Sequence, residues 1–125
     1  MEREIKFEAW NEKLKCMSKV LELDFEHDAI RCVPGHLPKN KISDCILLQF
    51  TGFFDKHGKE IYEGYILRTY KNFNQTNYIV QWKGDGFMCF EKQGDPTGYA
   101  LQTLTRIVGG CEVVGNIYEN IDMLK

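Results

Sequence analysis

The sequence predicts a mainly β fold of the β-rich α+β class: a small SH3-like barrel over roughly residues 50–117, an N-terminal β-hairpin extension, and one or two short helices. Three observations lead there. Short apolar runs, alternating or continuous, recur along the chain with turn residues between them. β-branched and aromatic residues, which pack well on a pleated surface, concentrate in those runs. Tight-turn chemistry is explicit at Asp55-Lys56-His57-Gly58 and again at Lys83-Gly84-Asp85-Gly86. The 125 residues show no internal repeat, low-complexity tract or linker, so the expectation is one domain, 1–125, around one core.

From Arg3 to Ala9 the pattern alternates, Ile5, Phe7 and Ala9 against Glu4, Lys6 and Glu8, and Trp10 closes the run. Asn11-Glu12-Lys13 breaks it, and a return through Leu14 to Met17 makes a hairpin. Val20 to Phe25 alternates again, with Leu21, Leu23 and Phe25 on one side. A helical stripe can also be drawn through Leu14, Met17, Val20, Leu21 and Asp24, so both readings stand for residues 14–25. Asp28 to Val33 reads as a short strand and Pro34 to Ser43 as a loop. Cys45 to Phe50 is a short buried strand leading into the turn at Asp55, where Asp accepts from the backbone two residues on and Gly58 takes positive φ.

Gly64 suggests a bulge that re-aims the chain into Tyr65 to Tyr70. Lys71 to Asn77 reads as an exposed loop with Phe73 at its tip. Tyr78 to Trp82 and Phe87 to Glu91 form a hairpin, and Lys92 to Gly98 a further loop. Leu101, Leu104, Ile107 and Val108 place one apolar stripe on a helix of about two turns, which Gly109-Gly110 ends. Glu112 to Ile117 is the last strand, and Asn120 is positioned to cap one final turn through Leu124.

Charge is nearly balanced, 16 Lys plus Arg against 18 Asp plus Glu, which removes a global electrostatic argument for nucleic-acid or membrane binding. No apolar run approaches the roughly 18 residues of a membrane span, and the start is charged, so a cytoplasmic protein is expected. Cys16, Cys32, Cys45, Cys89 and Cys111 are odd in number and lack a C-x-x-C pair, which reads as reduced thiols. His27, Cys32, His36 and Cys45 have zinc-ligand types but no standard finger spacing, so no metal is assigned.

Residues 49–67, Q-F-T-G-F-F-D-K-H-G-K-E-I-Y-E-G-Y-I-L, closely resemble the central motif of the YopX protein family, Y-T-G-x-x-D-K-x-G-K-E-I-Y-E-G-D-I-V. Residues 3–10 resemble the family's R-E-I-K-F-R-A-W start, and residues 112–120 its E-V-I-G-N-I-Y-E-N close. The three stretches frame nearly the whole chain in the same order. Glu8 departs from the family's Arg and Tyr65 from its Asp, so any chemistry of that acid is absent here. The resemblance implies a phage- or prophage-encoded protein acting in a bacterial host, without a settled activity.

No G-x-S-x-G, P-loop, H-E-x-x-H or dinucleotide fingerprint is present, so no catalytic residues and no cofactor are assigned. The leading reading is a non-enzymatic module that works by protein association, as a homo-oligomer or with a phage or host protein. Its structural motif residues are Trp10, Gly52, Asp55, Gly58, Tyr62, Gly64, Trp82, Gly115, Asn116 and Tyr118. The alternative is a barrel binding single-stranded nucleic acid, with Tyr70, Phe73 and Tyr78 stacking on bases while Arg68, Lys71 and Lys83 follow the backbone. Third is a metal-dependent enzyme using Asp55, Glu60, Glu63 and Glu119.

Overall fold

The computed structural model describes residues 4–33, 41–71, 73–92, 95–107 and 109–124. Strands β1 (Phe7–Asn11), β2 (Cys16–Asp24), β3 (Ala29–Val33), β4 (Cys45–Phe54) and β5 (Glu60–Tyr62) form one antiparallel sheet in the order β3-β2-β1-β4-β5. A second has the order β10-β6-β7-β8-β9, from β6 (Tyr65–Lys71), β7 (Asn74–Lys83), β8 (Gly86–Phe90), β9 (Tyr99–Ala100) and β10 (Glu112–Asn116). Between β9 and β10 lies helix α1 (Leu101–Ile107). The backbone divides into two compact units, residues 1–50 and 51–125.

In the first unit Asn11 fixes the β1–β2 turn. Its Oδ1 accepts the N–H groups of Lys13 and Leu14, each at 3.0 Å, and its carbonyl takes the Lys15 N–H while Lys15 adopts φ 53°. That local bonding favours a turn over the helical alternative, and residues 16–24 are strand. Trp10 is buried between its cross-strand partners Met17 and Ile46. The expected alternation of Leu21, Leu23 and Phe25 fails, because the β2–β3 register shifts between Val20 and Glu22. An extra residue breaks the period of two, and Leu21 and Phe25 stand 45% and 74% exposed. The Asp28 carboxylate accepts the Ser43 N–H at 3.0 Å and its hydroxyl at 2.6 Å, which tethers the 3-10 turn Ile42–Asp44. Most of the loop expected at residues 34–43 lies outside the described residues.

The second unit is built on a core of Ile61, Leu67, Val80, Cys89, Leu101, Leu104 and Cys111. Among the described residues the strands form two sheets and close no barrel, which corrects the expectation of a barrel. The physical reason is Gly64: at φ 83° it is a turn between β5 and β6, passing the chain from one sheet to the other rather than bending a single strand. The expected loop at residues 71–77 is also corrected. Thr69 pairs with Thr76, Tyr70 with Gln75 and Lys71 with Asn74, so the polar stretch is a tight hairpin whose backbone groups satisfy one another. In α1 the apolar stripe narrows to buried Leu101 and Leu104, with Ile107 75% exposed and Val108 outside the described residues. A 3-10 turn, Ile121–Leu124, follows β10. No helix among the described residues is long and apolar enough to cross a membrane.

Candidate functional site

The motif at residues 55–59 folds into a turn that fastens onto β10. Asp55 Oδ1 accepts the N–H groups of His57 and Lys59, both at 2.9 Å, and its carbonyl accepts the Gly58 N–H at 3.0 Å. Gly58 has φ 80°, the left-handed geometry that lets the chain leave the turn. The other carboxylate oxygen, Oδ2, reaches across the unit to the Val113 N–H at 3.0 Å, and the Lys56 N–H donates to the Cys111 carbonyl at 2.9 Å. Since β10 is the end strand of its sheet, these bonds occupy backbone groups on an edge that would otherwise invite pairing.

Burial alone would raise the Asp55 pKa, but the N–H groups of Val113, Lys59 and His57, with the nearby His57 ring, outweigh it and hold the carboxyl below its ordinary value. A carboxylate so held is a weak proton acceptor near neutral pH. Glu112, the residue before Val113, faces His57 Nε2 at 3.6 Å and accepts from the Tyr70 hydroxyl at 3.2 Å, while Lys56 Nζ lies 5.0 Å from the centre of the Tyr70 ring.

A second fastening joins Gly64 to the closing motif. The Gly64 N–H donates to the Val80 carbonyl at 2.7 Å, and its own carbonyl accepts the Ile117 N–H at 2.9 Å. Asn116, 8% exposed, accepts the N–H groups of Tyr118 and Glu119 on Oδ1 and donates from Nδ2 to the Glu119 carboxylate at 2.8 Å. The Asn120 side chain turns back to accept the Asn116 N–H at 3.2 Å instead of serving as the expected cap of the last turn. Gly115 is required by this arrangement, because a Cβ there would stand 2.5 Å from Asn120 Oδ1.

The profile described as YopX protein matches residues 6–125. The chain belongs to the YopX family. Its structure is similar to the crystal structure of protein EF1440 from Enterococcus faecalis, with TM-score 0.71 and 21% identity over 99% of this chain and 100% of that one. At that identity the likeness concerns the fold. No curated protein matches the chain.

In this YopX-family chain Tyr65, the departure from the family's Asp, is 8% exposed and packs its ring 5.5 Å from that of Tyr62, so an aromatic pair occupies the position. Tyr62 donates its hydroxyl to Glu60 at 3.3 Å. Asp55, Glu60 and Glu119 thus have separate partners, and among the described residues no group of three His, Cys, Asp or Glu is placed to hold a metal ion. His27 bonds Asp24 at 2.8 Å on the β2–β3 turn, Cys32 is buried on β3, Cys45 opens β4, and His36 lies outside the described residues.

The proposed nucleic-acid residues are not gathered on one face. Strand alternation places Arg68, Tyr70 and Lys83 on one side of the sheet and Tyr78 on the other, where it packs against the core beside Tyr99, their ring centres 6.1 Å apart. Burial, then the charge of Glu91, pushes the Tyr78 phenol up. Arg68 donates to Asn77 Oδ1 at 3.0 Å, and Lys71 pairs through its backbone with Asn74. Phe73 projects fully from the hairpin tip. Trp82 stands 51% exposed at the end of β7, edge-on to Phe87 at 4.9 Å. Sequence reasoning missed Glu112 and Lys56, whose partners are brought together only by folding, and assigned the Asn120 side chain to the last turn instead of to the Asn116 N–H.

Proposed function

We propose that this chain is a non-enzymatic association module of a phage or prophage, acting in the bacterial cytoplasm as a homo-oligomer or with a phage or host protein. The observation that supports this most is where the motif side chains go. Asp55, Asn116 and Asn120 are engaged with backbone N–H groups of their own fold, so their residue types are accounted for by architecture. Large apolar side chains meanwhile stand in water: Phe73 is fully exposed, and Ile107, Phe25 and Trp82 are half exposed or more. Aromatic side chains of this kind are the usual anchors of protein interfaces. Light scattering across concentration, together with identification of what co-purifies from phage-infected cells, tests the reading. A strict monomer with no stoichiometric protein partner contradicts it.

Nucleic-acid binding is the second reading, favoured by the side of the sheet that carries Arg68, Tyr70 and Lys83. Its signature is a shift of labelled single-stranded DNA or RNA that weakens as salt rises, because neutralised phosphates release counterions. A flat binding curve at low salt removes it.

A further inference from the structure

On the core-facing side of the second sheet two tyrosine rings stand at right angles. Tyr78 leaves β7 and Tyr99 leaves β9, with β8 between them. Their ring centres are 6.1 Å apart and their planes cross at 89°. Edge-to-face packing suits the quadrupoles of the two rings, and it also leaves two electron-rich faces meeting at a corner. Neither ring is fully buried: Tyr99 is 46% exposed and Tyr78 is half-buried.

The register places a carboxylate beside them. Val80 pairs with Cys89 and Ile79 with Phe90, so continuing by one residue brings Glu91 level with Tyr78, while Cys89 pairs with Tyr99 on its other side. Strand alternation then sets Tyr78, Cys89, Glu91 and Tyr99 on one face. Glu91 is exposed, and its charge reaches the Tyr78 phenol, adding to the upward push of burial. The buried Thr69 side chain hydrogen-bonds the Tyr78 hydroxyl and holds that ring in its orientation.

We propose that the corner formed by Tyr78, Tyr99 and Glu91 binds a compact organic cation, an alkylated ammonium head group either free or at the end of a partner's lysine side chain. Two ring faces at right angles both contact one rounded cation, and the carboxylate supplies the opposite charge. An anion would meet the negative faces of both rings as well as Glu91, and an uncharged ligand would gain nothing from Glu91. Lys92 follows Glu91 in the chain and is exposed, so its ammonium competes for the corner from within. The site stands independently of the association reading above; a partner's lysine is one of two ways of filling it.

Proton NMR titration of the full chain with choline chloride at constant ionic strength tests it, observed on the choline methyl signal and on the ring protons of Tyr78 and Tyr99. The expected result is saturable binding that is about threefold or more tighter than that of the uncharged isostere carrying a tert-butyl group in place of the trimethylammonium. Tyr99→Leu and Glu91→Gln, both at exposed positions, should each weaken choline binding about threefold or more. Tyr99→Phe, which keeps the ring, should retain it, and Lys92→Gln should tighten it. Asp85→Asn, which removes an exposed carboxylate from the β7–β8 turn, should leave it unchanged. A parallel titration with an acetylated, amidated lysine distinguishes the sources: tighter binding of choline assigns a free ligand, and tighter binding of the lysine derivative assigns a partner's side chain. Choline that binds no better than its uncharged isostere, or that binds equally well to Tyr99→Leu or Glu91→Gln, overturns the proposal.

Discussion

Replacing Asp55 by Ala removes the acceptor of three backbone N–H groups at once. The Val113 N–H sits at a half-buried position on β10, and leaving it unpaired costs about 1–3 kcal/mol. The His57 and Lys59 N–H groups lie on an exposed turn where water can replace the carboxylate, so each adds only about 0.5–1 kcal/mol. The expected loss is therefore about 2–5 kcal/mol, read from urea unfolding followed by tryptophan fluorescence, since Trp82 reports on the same unit. For a chain of 125 residues each kcal/mol corresponds to about 3–5 °C in melting temperature. Acidity gives a second readout. The folded pKa of Asp55 lies below its unfolded value of about 3.9, so its contribution is complete well above that value and fades as pH falls through the folded pKa. The gap between the unmodified chain and Asp55→Ala should hold from neutrality to about pH 5 and narrow below it. A variant within about 0.5 kcal/mol of the original, or a gap that widens in acid, refutes the reasoning.

Three further outcomes follow from the same geometry. Gly58→Ala should lose about 1 kcal/mol in urea unfolding, because the space around an added Cβ is open and φ 80° alone opposes it; equal or greater stability would contradict the turn. Gly115→Ala should lose about 1–3 kcal/mol, since its Cβ would displace Asn120 from the Asn116 N–H; calorimetry would show no loss if Asn120 moved freely. Among the thiols, burial pushes Cys89 far up, and burial together with Asp55 pushes Cys111 up to about 11. Both should resist a disulfide reagent in the native state and react on unfolding, whereas Cys16, half exposed, should react early.

Much of the β architecture was legible because its signals are local. The Asp55 to Gly58 turn follows from residue types that bond within a few positions, and the strand at residues 65–70 from its β-branched and aromatic content. Helix α1 came from a stripe of Leu101, Leu104, Ile107 and Val108, of which the two leucines are buried. Other features depended on register, which sequence encodes weakly. The bulge at Leu21 turned an alternating run outward, and cross-strand pairing converted an Asn-rich stretch into a hairpin closed beneath Phe73. Gly64 was recognised as a break, yet whether a break bends one strand or passes the chain to another sheet depends on the carbonyl and N–H groups of Val80 and Ile117, which meet it only after folding. The bond from Asp55 to Val113 spans 58 residues and had no sequence signal at all.

The central claim is that the turn at residues 55–59 secures the edge of β10, and amide hydrogen exchange at Val113 tests it most directly. In the unmodified chain this amide should be protected although β10 is an end strand, and Asp55→Ala should abolish most of that protection while the Ile79 amide in the middle of the sheet keeps its own. Unchanged protection of Val113 in Asp55→Ala would contradict the account.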